Sequence, residues 1–255
     1  MPRAHRGGGG AVSTRVLLWR QFRFERRLFW RNPSAAFFNF MLPLIFLFLI
    51  ASVFGHKTKD LNTLVPGISG MAVMTTTFTA LAFNITFLRE QGILKRMRGT
   101  PMPPVAYFGG LLLNAVTNAV VQVSLVVVVG HVIYGLHWPR DWLELALFTL
   151  VGVVAFGSLG IALSHAIPNF DAAPAYVNAV FLPMIFISGT FYSTSSLPGA
   201  LDAAARALPL KHVIDGFRAA IVTGSGLGHH LGALAALAAW AVGGVALAVR
   251  FFRWE

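Results

Sequence analysis

Long runs of apolar residues, separated by short polar segments, dominate this sequence. Apolar windows of about 20 residues or more, the length that a helix needs to cross a bilayer, lie at 34–55, 63–88, 105–134, 142–166, 174–195 and 229–250. We expect a helix in each window, because a lone strand would leave its backbone polar groups unpaired in lipid. The pattern predicts an all-α membrane protein with six transmembrane helices.

The low share of charged residues excludes an ordinary soluble domain. Only 11% of the 255 residues are charged and 56% are hydrophobic, whereas soluble domains contain about 25% charged residues. The charged residues are mostly basic, with 20 Lys and Arg against nine Asp and Glu. Nucleic acid is one partner for such a balance, but anionic lipid headgroups and the usual cytoplasmic bias of basic residues explain it more simply.

The positions of the basic residues predict the orientation of the chain. Fourteen Lys and Arg lie in 1–33, in 89–104 and at the C-terminus, which six spans place on one side, against six on the other side. The bias therefore predicts that both termini and segment 89–104 are cytoplasmic. We expect a multi-pass protein of the plasma membrane.

Residues 12–31 have the pattern of an amphipathic helix in the headgroup plane. At the helical step of about 100° per residue, most arginines share one arc, and the apolar residues lie opposite them, as in interfacial helices. Gln21 and Glu25 interrupt the apolar arc. They either form an intrahelical pair, with Glu25 bound to an arginine, or face protein rather than lipid. The chain thus divides into a cytoplasmic lead with an interfacial helix, 1–33, and a membrane domain, 34–255.

The segment 193–228 is too polar to span the bilayer, and prolines interrupt it. Its apolar residues repeat every three or four positions, which predicts one short amphipathic helix and a second one over 211–222. We expect these extracytoplasmic helices to be re-entrant, which is possible where protein or water pairs the broken backbone.

The sequence carries little catalytic chemistry. It has no phosphate-binding Gly-x-x-x-x-Gly-Lys-Ser/Thr loop and no His-Glu-x-x-His motif. An intramembrane serine protease remains an alternative of a different class, with Ser158, Ser164, Ser188 and His165 as its candidates. Their surroundings lack the tight Gly-x-Ser-Gly turn that such a nucleophile needs. We expect no catalytic residue, metal site or cofactor in this chain.

Polar and aromatic residues within the spans are candidates for a translocation path. Polar groups in hydrocarbon need partners, so they mark either interhelical hydrogen bonds or a route for a substrate. Aromatic residues either pack ordinarily or line a cavity for an amphiphile. The candidates are Thr79, Asn84, Asn118, Asn178, Phe181 and Phe186. Since no acidic residue lies deep in a span, an external energy source is expected rather than coupling to protons or sodium.

The segment "REQGILKRMRGTPMPP", residues 89–104, concentrates charge between two spans and ends on prolines. With the preceding span it resembles the cytoplasmic loop of type-2 ABC exporter permeases, which has an acidic residue, a glycine, a short basic helix and Thr-Pro. Residues 187–221 resemble the run that follows span five in that family. They share Ser188-Gly189, Leu197-Pro198, Pro209-Leu210, and Asp215 with Arg218. Ser193 departs from the family, which commonly has a proline there.

The resemblance implies that the chain is the permease subunit of an exporter, not an enzyme by itself. A separate cytoplasmic ABC ATPase, present in two copies, would bind ATP and Mg and drive a pair of permease subunits, as a homodimer or a related heterodimer. The interfacial helix, with Gln21 and Glu25, would flank the same partner. The coupling segment that docks the ATPase would comprise Glu90, Gly92, Ile93, Leu94, Lys95, Arg96, Met97, Arg98, Thr100 and Pro101.

Within that segment, the resemblance implies that Ile93, Leu94 and Met97 pack into a groove of the ATPase while the basic residues meet acidic groups or lipid. The substrate would cross between the two permease copies, beside spans two and five. A hydrophobic or amphipathic drug, antibiotic or lipid-like molecule is the expected substrate of this efflux. A lipid-linked glycan is the alternative, and membrane lipid rather than nucleic acid is the expected surrounding partner.

Overall fold

The computed structural model describes residues 13–54, 58–100, 102–192 and 198–251. Within these ranges the chain is helical and has no strand. The helices are α1 (Thr14–Arg31), α2 (Pro33–Phe54), α3 (Thr58–Met74), α4 (Ala80–Glu90), α5 (Ile93–Arg98), α6 (Pro104–Tyr134), α7 (Trp142–Ser164), α8 (Ala173–Ile187), α9 (Gly199–Ala207), α10 (Pro209–Arg218) and α11 (Leu231–Phe251). The predicted lead at 1–12 lies outside the described residues.

Five helical stretches of the described chain are long and apolar enough to cross a membrane. They are Ala36–Val53, Asp60–Glu90, Pro104–Tyr134, Trp142–Ser164 and Leu227–Arg250. The predicted fifth window, 174–195, instead contains a 15-residue apolar helix, α8, so the expected count of six long spans is not reached. The cause is a turn at Ser188-Gly189, where Gly189 has a φ of 77° that ends the helix early.

The second span is one continuous rod of 31 residues with a π-helical turn, Thr75–Thr79, between α3 and α4. Around this turn the threonine hydroxyls donate to the carbonyls of the preceding turn, for example Thr77 Oγ1 to Val73 at 2.6 Å. Such back-bonding satisfies a hydroxyl within its own helix. The turn also packs closely on α7, since a Cβ on Gly160 would lie 2.4 Å from the Phe78 carbonyl oxygen. Thr75, Thr76 and Thr77 thus have local partners rather than interhelical ones.

The connection between α8 and α11 is mostly well packed. Leu210, Val213 and Phe217 of α10 have no exposed surface, and α10 lies against α3, α7 and α11. The close fit depends on Gly216, whose Cβ would fall 2.3 Å from the ring of Phe148. Both predicted short helices therefore exist, as α9 and α10. Residues 193–197, where part of the predicted first helix falls, lie outside the described residues.

Most buried apolar side chains form one central cluster that joins α2, α3, α6, α7, α8, α10 and α11. A smaller cluster lies where α4, α5 and α6 meet, and it includes Ile85, Leu94, Tyr107 and Leu111. This second cluster fixes the α4–α5–α6 connection to the bundle. The predicted coupling segment is consequently part of a packed structure.

Candidate functional site

The link between the second and third spans is a short helix held at both ends. Gly92 has a φ of 66°, a left-handed conformation that glycine adopts without strain, and it turns the chain from α4 into α5. Gly99 follows α5, and α6 begins at Pro104, where proline lacks only an N–H that would be unpaired anyway. The segment is thus a separate helical turn between two breaks, as the sequence predicts.

The side chains of α5 divide into an anchored face and an exposed face. Leu94 is 1% exposed and lies in the smaller core cluster, against which Met97 also packs. Lys95 and Arg96 are exposed. The expectation that Leu94 enters a groove of a partner is therefore wrong: it anchors α5 to the bundle, because its apolar side chain is already fully buried. Ile93 is half-buried and Thr100 exposed; Pro101 lies outside the described residues.

The end of α4 is tied to the connection between α7 and α8. The Arg89 guanidinium donates to the Ser164 carbonyl at 2.8 Å and to the Ile167 carbonyl. The Glu90 carboxylate accepts the backbone N–H of Phe170 at 2.5 Å. We call these two side chains and their three backbone partners the Arg89–Glu90 tie. It joins the coupling segment to a part of the chain 75 to 80 residues away.

Sequence reasoning assigned Arg89 only to the basic excess of this side of the membrane. Its partners are the backbone carbonyls of Ser164 and Ile167. Since every residue type has a carbonyl, the residue types at these two positions do not indicate the hydrogen bonds. Glu90 was identified through the resemblance alone. The nearest sequence signal is the adjacency of one arginine and one glutamate at the end of an apolar span, where free carbonyls and N–H groups of other helix ends are expected.

The helix α1 packs its polar strip against α6. Gln21 and Glu25 are 9% and 7% exposed, and Gln21 Nε2 donates to Glu25 Oε1 at 2.7 Å. The contact requires Gly110, where a Cβ would lie 2.6 Å from Gln21 Cγ and 3.1 Å from the Phe22 backbone nitrogen. The two residues do form an intrahelical pair, but with each other, and they face protein.

Burial affects the charge of this strip. Desolvation raises the pKa of the Glu25 carboxyl above its ordinary value, and the hydrogen bond from Gln21 opposes that change. The neighbouring Arg26, which the sequence placed with the headgroup-facing arginines, is half-buried. Its guanidinium donates to Asn118 Oδ1 on α6 at 2.5 Å and lies 5.7 Å from the ring centre of Trp30. Arg26 therefore faces the bundle, since it shares the α6-facing side of α1 with Glu25.

Above α1 is an open cleft of about 490 Å³ between α1, α2, α4 and α6. We call it the asparagine cleft. Its lining includes four asparagines of helices α2, α4 and α6, a fifth, Asn32, between α1 and α2, and four phenylalanines. The residues are Asn39, Asn84, Asn114 and Asn118, with Phe29, Phe83, Phe87 and Phe170. Asn39 was missed by the sequence analysis, because a single amide in a strongly apolar run gives no periodic signal.

The predicted path residues do not all come together. Asn84 and Asn118 line the asparagine cleft. Thr79 belongs to the π-helical turn, and its hydroxyl is buried without a partner in the described chain. On α8, Phe181 packs against the central cluster, while Asn178 and Phe186 are exposed. The cleft and the exposed face of α8 are thus two separate surfaces of this chain.

Three of the four candidates for a serine protease bond to carbonyls of α7, and the hydroxyl of the fourth, Ser188, is buried without a partner in the described chain. Ser158 Oγ and Ser164 Oγ donate to the carbonyls of Ala155 and Ile161 at 2.9 Å and 2.6 Å. His165 Nδ1 lies 2.9 Å from that same Ile161 carbonyl oxygen. Such bonds to the preceding turn are typical of polar side chains within a helix and at its end and do not pair a serine with a histidine, so the geometry gives the enzyme alternative no support.

Comparisons with known proteins match this chain to membrane transporters. Residues 12–222 match the family model described as ABC-2 type transporter. Nodulation protein J of Rhizobium meliloti (strain 1021) is 28% identical over 231 residues, which cover 86% of each chain. The daunorubicin resistance ABC transporter permease protein DrrB1 of Streptomyces coeruleorubidus is 27% identical, over 70% of this chain and 65% of its own. The inner membrane transport permease YadH of Escherichia coli (strain K12) is 25% identical over 69% of each.

Proposed function

Since this chain belongs to the ABC-2 type transporter family, we propose that it is the permease subunit of an exporter driven by a separate cytoplasmic ATPase. The observation that carries the proposal is the α4–α5–α6 connection. It presents Lys95 and Arg96 to the surroundings while Leu94 fixes the same helix to the bundle. A partner that binds the exposed face can therefore push on the spans. ATP and Mg²⁺ belong to that partner, and this chain holds no cofactor.

The proposed mechanism moves three elements with α5. The buried Leu94 transmits displacement to α4 and α6, which share its cluster. The Arg89–Glu90 tie transmits it to the start of α8. Rocking of such packed halves opens a path alternately to each side of a membrane. The α1 helix, docked on α6 through Gln21 and Gly110, flanks the same partner.

In this proposal the short helix α8 completes a six-span topology with both termini in the cytoplasm of a plasma membrane. Two permease subunits, identical or related, combine with two ATPase subunits. The cargo is a hydrophobic or amphipathic drug, antibiotic or lipid-like molecule that passes between the two permeases. One relative is named for daunorubicin resistance, which supports this class. A lipid-linked glycan is the second candidate, favoured by the amides of the asparagine cleft.

Charge reversal of the coupling segment tests the proposal. We expect Lys95→Glu, Arg96→Glu and Arg98→Glu together to weaken association with the cognate ATPase, or to uncouple ATP hydrolysis from transport, because the acidic residues introduced would repel the acidic partner groups that the native basic residues attract. Arg250→Glu, an exposed arginine at the end of α11, is the matched control. Association is measured by co-purification and transport in proteoliposomes. Normal transport by the triple variant, or a purified chain that recruits no ATPase, would refute the proposed function.

A further inference from the structure

An apolar groove opens between the start of α6 and the end of α11, with α7 as its floor. We call it the lateral groove. Its volume is about 380 Å³, which lies within the ordinary range of small-molecule sites. On its two walls, Val105 of α6 and Val249 of α11 are 71% and 75% exposed. Because the walls are exposed, the occupant of the groove is not a described part of this chain.

Two close contacts with α7 set the shape of the lateral groove. A Cβ on Gly157 of α7 would lie 2.8 Å from Leu112 Cδ2 of α6, and a Cβ on Gly244 of α11 would collide with Ser158 Oγ of α7. The helices α6 and α11 therefore both rest on α7 at the level of Gly157 and Ser158. The groove lies between them from that level towards the side of the coupling segment, where α6 begins and α11 ends.

The interior of the lateral groove suits a hydrocarbon chain. Among its described lining residues, only Ser158 has a polar side chain, and that hydroxyl already donates to the Ala155 carbonyl at 2.9 Å. Along α6 the lining extends from Pro104 to Leu112, which is about 12 Å at 1.5 Å per residue. One leaflet is about 15 Å deep in a hydrocarbon core of about 30 Å. The groove therefore spans most of the leaflet on the side of the coupling segment.

The end of the groove that reaches the headgroup level is basic. Arg250, in the last turn of α11, is exposed and forms no ion pair with another described residue. Lys95 and Arg96 are exposed on α5, in the link that leads into α6. The parts of α6, α7 and α11 that line the groove contain no Asp or Glu. Such a basic surface between spans attracts anionic lipid headgroups.

We propose that the lateral groove binds an anionic phospholipid, whose acyl chain lies on α7 between α6 and α11 and whose phosphate pairs with Arg250. The apolar interior specifies the chain, and the basic end specifies the charge of the headgroup. A zwitterionic phospholipid would fit the interior, but its cationic group would weaken the attraction to Arg250. A second copy of this chain would cover the valines and leave Arg250 without an anion. The inference goes beyond the proposed function, since such a lipid site requires neither an ATPase nor a cargo.

The full chain in lipid nanodiscs, without an ATPase, tests the inference. The chain has no cysteine, so Val105→Cys carries a single, small trifluoromethyl label on the groove wall, and fluorine NMR reports its surroundings. Phosphatidylglycerol replaces phosphatidylcholine stepwise in the nanodisc. The control for position is the same label at Val132→Cys, which is 72% exposed near the other end of α6.

Two variants address the headgroup and the chain of the lipid separately. Arg250→Gln removes the proposed partner of the phosphate, and its matched control is Arg20→Gln, which changes an exposed arginine of α1. Val245→Phe fills the groove from α11, and its matched control is Val242→Phe on the same helix, outside the described lining. All four side chains are exposed, so the substitutions leave the buried core unchanged.

We expect the label at Val105→Cys to shift and to saturate at a low fraction of phosphatidylglycerol, while the label at Val132→Cys changes little. One arginine near a membrane surface strengthens the binding of anionic lipid about fivefold, so Arg250→Gln should raise the half-saturating fraction by about that factor. Val245→Phe should abolish the saturating shift, and both control variants should behave like the parent. Glycerol phosphate, which has no acyl chain, should cause no shift.

A shift that grows in proportion to phosphatidylglycerol without saturation would overturn the inference, since it would report surface charge alone. An equal half-saturating fraction in Arg250→Gln and the parent would overturn it as well. So would a label that ignores lipid composition but responds to dilution of the protein, because the groove would then bind a second copy. None of these outcomes bears on ATP-driven export, and failure to recruit an ATPase would leave the lipid titration as it is.

Discussion

Substitution of Arg89 by methionine tests whether the coupling segment drives α8 as well as its neighbours in sequence. Methionine keeps the length and apolar contacts of the stem but removes both hydrogen bonds to the carbonyls of Ser164 and Ile167. Hydrogen bonds to a charged group contribute about 1.5 to 3 kcal/mol each. Arg89 is half-buried, so water replaces part of the loss, and we take about 2 kcal/mol for the pair.

A loss of about 2 kcal/mol shifts the equilibrium between a docked and a released α7–α8 connection by about thirtyfold towards release. The chain has no native cysteine, so spin labels at Lys95→Cys and Asp171→Cys report the distance between α5 and this connection. We expect a narrow distance distribution in the parent and a broad one in Arg89→Met. Transport per ATP hydrolysed is expected to fall in Arg89→Met. Co-purification of the ATPase is expected to persist, because the chain used for these two assays carries no labelling cysteine and keeps Lys95 and Arg96 exposed.

The control is Arg250→Met, which removes one exposed arginine at the end of α11 without touching the tie. It is expected to keep the narrow distribution and the parent transport ratio. The reasoning is refuted if Arg89→Met and Arg250→Met behave alike in both measurements. Loss of ATPase binding in Arg89→Met would also refute it, since the residue would then belong to the docking face.

Two further predictions concern the docking of α1. Gly110→Leu should destabilise the chain by about 1 to 3 kcal/mol, because the leucine side chain would collide with Gln21. The measurement is the melting temperature, which should fall. The control is Gly243→Leu on α11, where a Cβ meets nothing within 4 Å. Burial raises the pKa of Glu25 above 4.5, so the folded state binds a proton more tightly than the unfolded state. Stability should therefore decline as the pH rises from 4.5 through the raised pKa. Glu25→Gln should abolish that decline when the melting temperature is measured from pH 4.5 to about 8. If the variant showed the same pH dependence of the melting temperature as the parent, Glu25 would not be its cause.

The sequence predicts the spans well where local chemistry sets their ends. The window 105–134 corresponds to α6, Pro104–Tyr134, because a proline begins that helix and Gly135, with a φ of 68°, ends it. The window 174–195 overestimates α8, because hydropathy does not register the glycine turn at Ser188-Gly189 that ends it; beyond that turn the chain lies so close to α3 that a Cβ on Gly67 would meet the Thr190 carbonyl oxygen at 1.8 Å. Hydropathy does not encode such a contact.

The candidate site divides in the same way. The amphipathic pattern of α1 is local, and the helix predicted over 12–31 is observed at Thr14–Arg31. The short basic helix that the resemblance implied within 89–104 occupies only Ile93–Arg98. The burial of Leu94 and the inward turn of Arg26 depend on which helix lies alongside, and so were missed. Thr76 and Thr77 of the second span bond to their own helix, an outcome that composition does not distinguish from an interhelical hydrogen bond.

The π-helical turn at Thr75–Thr79 sets the angular phase between the two halves of the second span. Such a turn accommodates one residue more than a regular helix would at that point. If the same residues formed a regular α-helix, the extra residue would instead rotate the rest of the helix by about 100°. Arg89 and Glu90 would then face away from the carbonyls and the N–H that they meet now. The local irregularity thus aims the end of α4, and a substitution that converted the turn to regular helix without loss of a residue would misdirect it.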